Sequence, residues 1–191
     1  MNRRQAIFRI TLGGAAVAGA VGGYKWYDLT KLPDLLYLDR NRELIASLAE
    51  TIIPATDTPG ARDTGVHDFI ILMIKECTER KTQNKFIEGL KELQHHSIYT
   101  WGKLYQHSQP DQQTKTLKRF EKKGKLYPGI IGKAQAKFLG KSFFATLKQY
   151  TVEGYCTSKD GATKGLAYLF VPARYEGCTD LQPGQKAWAT N

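Results

Sequence analysis

Glu92 and His95 stand three residues apart, the Glu-x-x-His spacing with which helical di-iron sites take a carboxylate and an imidazole from one helix face. Such a site needs the pair on two helices, and no Glu lies three positions before His67, His96 or His107. The pair is therefore assigned to a solvated helix face. Cys77, Cys156 and Cys178 are far apart, and neither Cys-x-x-Cys nor His-Glu-x-x-His occurs, so no zinc arrangement is present as a motif. Serine hydrolysis would need a nucleophile elbow, and Gly-x-Ser-x-Gly is absent. The glycine-rich run near the N-terminus lacks Gly-x-Gly-x-x-Gly and has no strand–helix unit around it to cradle a dinucleotide. No residue of the chain is assigned as catalytic, cofactor-binding or metal-binding.

Residues with positional meaning gather instead in 51–70, TIIPATDTPGARDTGVHDFI, a Pro/Gly-rich stretch between two segments of helical period. Upstream, Leu44, Ile45, Leu48 and Ile52 share one helix face, and Pro54 ends that helix by lacking an N–H and restraining the residue before it. Thr58-Pro59-Gly60 has turn chemistry, with Gly60 the position expected to need φ > 0. Asp63 or Thr64 is expected to cap a following helix that carries Phe69, Ile70, Met73, Ile74 and Cys77. The stretch is expected to form a rigid elbow, with Pro54, Pro59, Gly60, Ala61 and Gly65 as its structural residues.

The elements around the elbow follow from periodicity. With 191 residues and 41% hydrophobic content the chain is long enough for one domain with a true core. Tyr27 to Arg40, containing Pro33, is expected to wrap onto that domain as a linker docked by Leu35, Leu36, Tyr37 and Leu38. Asn84 to Tyr105 predicts the longest helix, with Phe86, Leu90, Leu93, Trp101 and Leu104 as its stripe. Ser108 followed by Pro110-Asp111 predicts a helix start, with the helix running to about Lys123 and stopped by Gly124 and Tyr127-Pro128-Gly129. Ala134 to Thr151 repeats the helical period, with Phe138, Phe143, Leu147 and Tyr150 inward. From Gly154 onward Gly, Pro, Ser and Asp are dense among scattered aromatics, predicting an irregular tail. The expected fold class is all-α: an irregular bundle of about five helices with an aromatic- and Gly/Pro-rich C-terminal tail.

There are 28 basic and 18 acidic side chains, and Arg3, Arg4, Arg9 and Lys25 lie in an acid-free opening of 27 residues, so the remainder carries +6. Its densest basic run, Lys115 to Lys125, is expected to be a solvated helix face, with an anionic partner or membrane surface as the alternative. Leu117 and Phe120 alone make no stacking platform, so no nucleic acid is expected as a partner. Arg3-Arg4 precede an uncharged run from Ile10 to Gly23 that is shorter than a spanning helix prefers and rich in glycine. This opening resembles a twin-arginine export signal. Residues 1–27 are expected to be that signal, either cleaved or retained as an anchor, with 28–43 a linker and 44–191 a single helical domain.

The elbow also carries a family resemblance. ETIIPATDTPGARDTGVHDFI, from Glu50 to Ile70, resembles the opening motif of the gluconate 2-dehydrogenase subunit 3 family, the small subunit of bacterial membrane-associated flavin dehydrogenase complexes. Gly154-Tyr155, Ser158, Gly161, Tyr168, Val171-Pro172, Tyr175, Gly177-Cys178 and Trp188 resemble its closing pattern, so the likeness spans roughly 44 to 188. The chain departs from that pattern at Pro172-Ala173-Arg174, where Gly tends to follow Pro, and at Cys156, where an aromatic is commoner.

The resemblance implies a non-catalytic subunit that binds an FAD-dependent large subunit of the glucose-methanol-choline type. FAD belongs to that partner, and haem to a cytochrome c subunit where one is present. It further implies that this chain's signal takes the folded partner through the twin-arginine translocation machinery, which places the complex in the periplasm at the membrane. A free-standing exported helical binding protein with no enzyme partner is the rival class.

Export would bring three cysteines into an oxidising compartment. A Cys156–Cys178 bridge is the expectation, with a bond to the large subunit and free thiols as alternatives. Closing such a loop would contribute on the order of 3 kcal/mol. Cys77 is then expected to be a buried core thiol.

Overall fold

The computed structural model describes residues 27–124, 140–167 and 183–188, together with Gly23, Cys178 and Asp180. Arg3, Arg4 and the apolar N-terminal run lie outside the described residues, as do Phe138, Tyr127-Pro128-Gly129 and the aromatic residues Tyr168, Phe170 and Tyr175. The elements are α1 (Leu36–Arg40), α2 (Arg42–Ile52), α3 (Val66–Glu76), α4 (Arg80–Trp101), a 3-10 turn (Tyr105–His107), α5 (Pro110–Gly124), α6 (Phe143–Thr157) and a π-helical turn (Gly161–Gly165). The fold is all-α, and among the described residues the only β pairing is an isolated bridge between Ala167 and Trp188.

Part of the expected linker is helical. α1 buries Leu38 and packs Leu35 and Tyr37 against the core, while Leu36 faces out. Asn84 fixes the chain before it by donating from Nδ2 to the carbonyls of Leu29 (2.9 Å) and Lys31 (2.8 Å). α2 ends at Ile52, two residues before Pro54 as expected, and buries Leu44, Ile45 and Leu48. α3 buries Val66, Ile70 and Ile74, with Phe69 and Met73 partly covered.

α4 begins four residues before the expected start and stops at Trp101, because Gly102 adopts φ 67 and its N–H returns to the Ile98 carbonyl (2.9 Å). A left-handed glycine closes a helix in this way. Leu104 therefore falls outside the helix and is partly exposed, while Phe86, Leu90 and Leu93 form the inward stripe as expected. α5 starts at Pro110 as expected. Ser108 does not cap it by side chain, however: its hydroxyl donates to the Leu104 carbonyl (3.1 Å), and the Gln109 N–H is taken by Gln112 Oε1 (3.1 Å).

Of the helix expected over 134–151, residues 134–139 lie outside the described residues, and the described helix begins at Phe143. Gly140 adopts φ 78, which breaks any continuous helix there, and Ser142 then caps α6 by accepting from the Ala145 N–H (3.3 Å). α6 runs on through Gly154, Tyr155 and Cys156, so the irregular region begins later than expected. Gly154 remains helical because it marks a close approach: a Cβ there would lie 2.7 Å from Phe69 Cδ1. Among the described elements the pairing of α3 with α6 is the most extensive. The core is continuous, running from Leu38 through Ile45, Ile70, Phe86 and Leu90 to Phe120, Phe143, Leu147 and Tyr155.

Candidate functional site

The elbow between α2 and α3 is built around one carboxylate. Glu50, in the last turn of α2, accepts the Ala55 N–H at Oε1 (2.8 Å) and the Arg62 N–H at Oε2 (2.9 Å), so a single side chain ties both sides of the loop. In a segment without regular structure those exposed amides would otherwise have only water as a partner. Arg62 returns toward α2, with its guanidinium on Glu43 Oε1 (2.6 Å) and Ser47 Oγ (2.7 Å). The Ala61 N–H donates to the Ile53 carbonyl (2.9 Å), and Ala61 is fully buried in the core.

Gly60 is needed for space. Its φ is not positive, contrary to expectation; a Cβ there would collide with the Glu50 carboxylate and lie 2.7 Å from the Ala55 nitrogen. The left-handed residue is Gly65, at φ 71, directly before α3, and a Cβ there would meet nothing within 4 Å. Asp63 and Thr64 do not cap α3. Asp63 Oδ2 accepts the Gly60 N–H (3.3 Å), and the Thr64 hydroxyl donates to the Gly60 carbonyl (3.0 Å), so both hold the turn.

The loop's other end is latched by α6. Tyr155 donates its hydroxyl proton to the Pro59 carbonyl (3.0 Å), across 96 positions of sequence. The residues packed around Tyr155 are glycines of the closing pattern and its neighbours. A Cβ at Gly165 would collide with the Tyr155 hydroxyl, and one at Gly161 with its carbonyl oxygen. The two ends of the chain that resemble one family thus meet at one place. Pro54, Ala55, Thr56 and Asp57 form the exposed rim of the elbow, and Gly60 and Ala61 its buried base.

Charges flank this structure. Arg42 at the start of α2 forms a two-pronged pair with Asp68 of α3, one contact being Nε to Oδ1 at 2.6 Å. The hydrogen bond from Arg42 holds the Asp68 carboxyl below its usual range. His67 next to it has a buried Nδ1 without a hydrogen-bond partner, and desolvation lowers its pKa. On α4, His96 is likewise lowered by burial and by the nearby Arg119, and its ring meets Phe120 edge-on.

The remaining candidates separate. Glu92 is paired with Lys123 (2.6 Å) and His95 is exposed. Cys77, Cys156 and Cys178 are free thiols, so the Cys156–Cys178 bridge is not formed. Cys156 lies in the last two turns of α6 and is held by that helix without a cross-link. Cys77 is exposed and not a core thiol, because α3 ends at Glu76 and Cys77 is its cap. Glu50 and the Tyr155–Pro59 latch were not singled out from sequence. The available signal was an acid in the last turn of a helix directly before a Pro/Gly-rich loop.

The described residues thus form an all-α domain whose elbow is held by its own side chains. The chain belongs to the gluconate 2-dehydrogenase subunit 3 family, which it matches over residues 39–173. That match takes in the elbow, all of α2 to α6 and the π-helical turn, and stops before Tyr175, Gly177-Cys178 and Trp188. No curated protein and no solved structure matches the chain.

Proposed function

We propose that this chain is the non-catalytic small subunit of a periplasmic, membrane-associated FAD-dependent dehydrogenase that oxidises gluconate or another sugar acid, sugar or polyol. It binds the flavoprotein large subunit, of the glucose-methanol-choline type, and escorts it through the twin-arginine translocation machinery on the signal led by Arg3 and Arg4. FAD sits in that partner, and haem in a cytochrome c subunit where one is present. Family membership supports a place in the dehydrogenase complex.

The observation that carries the non-catalytic reading is the use of the elbow's polar groups. Both Glu50 oxygens, the Arg62 guanidinium and the Tyr155 hydroxyl are engaged in holding backbone or neighbouring side chains. A loop held this way loses little conformational freedom on docking, which favours its exposed rim, 54–57, as the contact for the large subunit.

Co-expression with the flavoprotein tests this. The purified chain alone is expected to show no flavin absorbance and no turnover with sugar and an artificial acceptor, and to co-elute with the large subunit when both are present. Thr56→Arg/Asp57→Arg should abolish co-elution while leaving the melting temperature unchanged. Replacing Arg3 and Arg4 by Lys should hold both proteins in the cytoplasm. One equivalent of FAD on the isolated chain would overturn the non-catalytic reading. Export of the partner unaffected by the Lys pair would overturn the escort role.

A further inference from the structure

We infer that the outer face of α5 is a docking surface for anionic phospholipid headgroups. Helix α5 has two unlike sides. Thr116, Leu117 and Phe120 are buried, Trp101 Nε1 donates to Thr116 Oγ1 (3.0 Å), and Gln113 Nε2 donates to the Tyr105 carbonyl (2.9 Å). The opposite side carries Lys115, Lys118, Arg119 and Lys122, all exposed and together lining one shallow depression. Their spacing of i, i+3, i+4 and i+7 makes a single stripe two turns long. Lys115 pairs with Asp111 (2.6 Å), and Glu121 lies at the edge of the stripe. Lys118, Arg119 and Lys122 make no ion pair among the described residues.

Adjacent like charges on a helix repel, and among the described residues no acid of a neighbouring helix lies within ion-pair distance of Lys118, Arg119 or Lys122. One helical turn rises about 5.4 Å, within a Debye length of about 8 Å at physiological salt, so the cations act on an approaching surface as one patch. The patch also lacks what a protein partner uses to hold on. Its apolar residues, Leu117 and Phe120, point into the core, leaving no aromatic or aliphatic anchor at its centre. A smeared, laterally mobile negative charge needs no such anchor and no shape match, and three of the four cations are Lys, which act as point charges and not as bidentate forks. An anionic leaflet fits this face better than an acidic protein does. The inference requires neither the export route nor the dehydrogenase partner.

The test is vesicle co-sedimentation of the full chain with phosphatidylcholine vesicles with and without phosphatidylglycerol, at low and high salt. Lys118→Gln/Arg119→Gln/Lys122→Gln removes three cations from the solvent side without touching the packed face. At a few-fold per basic residue, its affinity for the anionic vesicles should fall about 100-fold. Its binding to pure phosphatidylcholine, which reports the apolar N-terminal run, should not change. A control, Lys103→Gln/Lys148→Gln/Lys159→Gln, removes the same charge from exposed positions elsewhere and should lose less than about threefold. Equal losses in the two triple variants would reduce the effect to net charge and overturn the assignment. Unchanged anionic-vesicle binding in the α5 variant would overturn it too, as would unchanged vesicle binding accompanied by loss of an acidic protein partner.

Discussion

Two glycines of the elbow are required for different physical reasons, and substitution separates them. Gly60 is packed against Glu50 and the Ala55 nitrogen, so Gly60→Ala forces a backbone shift and should cost about 1–3 kcal/mol, with Gly60→Asn costing more. Gly65 has open space around its Cβ position but φ 71, so Gly65→Ala should cost about 1 kcal/mol and Gly65→Asn less, because Asn tolerates the left-handed region. Denaturant midpoints of the four variants check the pattern. Equal behaviour of Asn at the two positions would mean that one cause operates at both. From sequence, turn residues marked the loop but could not separate a glycine kept for φ from one kept for space. The distinction rests on Glu50, whose role depends on where the chain places Ala55 and Arg62.

At the scale of elements, α3 and α6 approach closely because Gly154 admits the Phe69 ring. Gly154→Ala should part them and cost about 1–3 kcal/mol, and Phe69→Leu should recover part of that loss in the double variant while costing stability on its own. Strict additivity of the two changes would show that the contact is not shared. Helix existence was legible where the apolar stripe was long, as for α2, α3 and α4 over Leu44–Ile52, Phe69–Ile74 and Phe86–Leu93, and for α5 from its start signal at Pro110-Asp111. Boundaries set by a single backbone torsion were not. Gly102 sits inside a stretch of helical composition, and its positive φ closes α4. Gly154 posed the reverse problem, a glycine suggesting a break where tight packing of two helices was the cause. The thiol pairing failed for a related reason, since α6 already orders the residues around Cys156.

For the whole molecule, acid is the expected weakness. His67 and His96 have pKa values held down by burial, so the unfolded chain binds protons that the folded chain resists. Their contribution to stability is complete above the unfolded value of about 6.5 and is lost as pH falls through their folded values. The melting temperature should therefore decline from pH 7.5 to pH 5, and His67→Gln/His96→Gln should flatten that slope. Below about pH 4 a second loss should follow as Asp68, held low by Arg42, takes up its proton. An identical slope in wild type and double variant would assign the acid sensitivity to other groups.

The latch from Tyr155 to Pro59 also orders events in time. Synthesis proceeds from the N-terminus, so the elbow leaves the ribosome long before the tyrosine that closes it, 96 positions later. Until then Glu50 can gather the loop through Ala55 and Arg62, but the Pro59 carbonyl has only water as its partner. A nascent chain thus presents a half-set elbow, and a surface that depends on the finished one is withheld until α6 has folded back. The recognition proposed for this loop would in that sense report that the domain has been made through α6 and has folded.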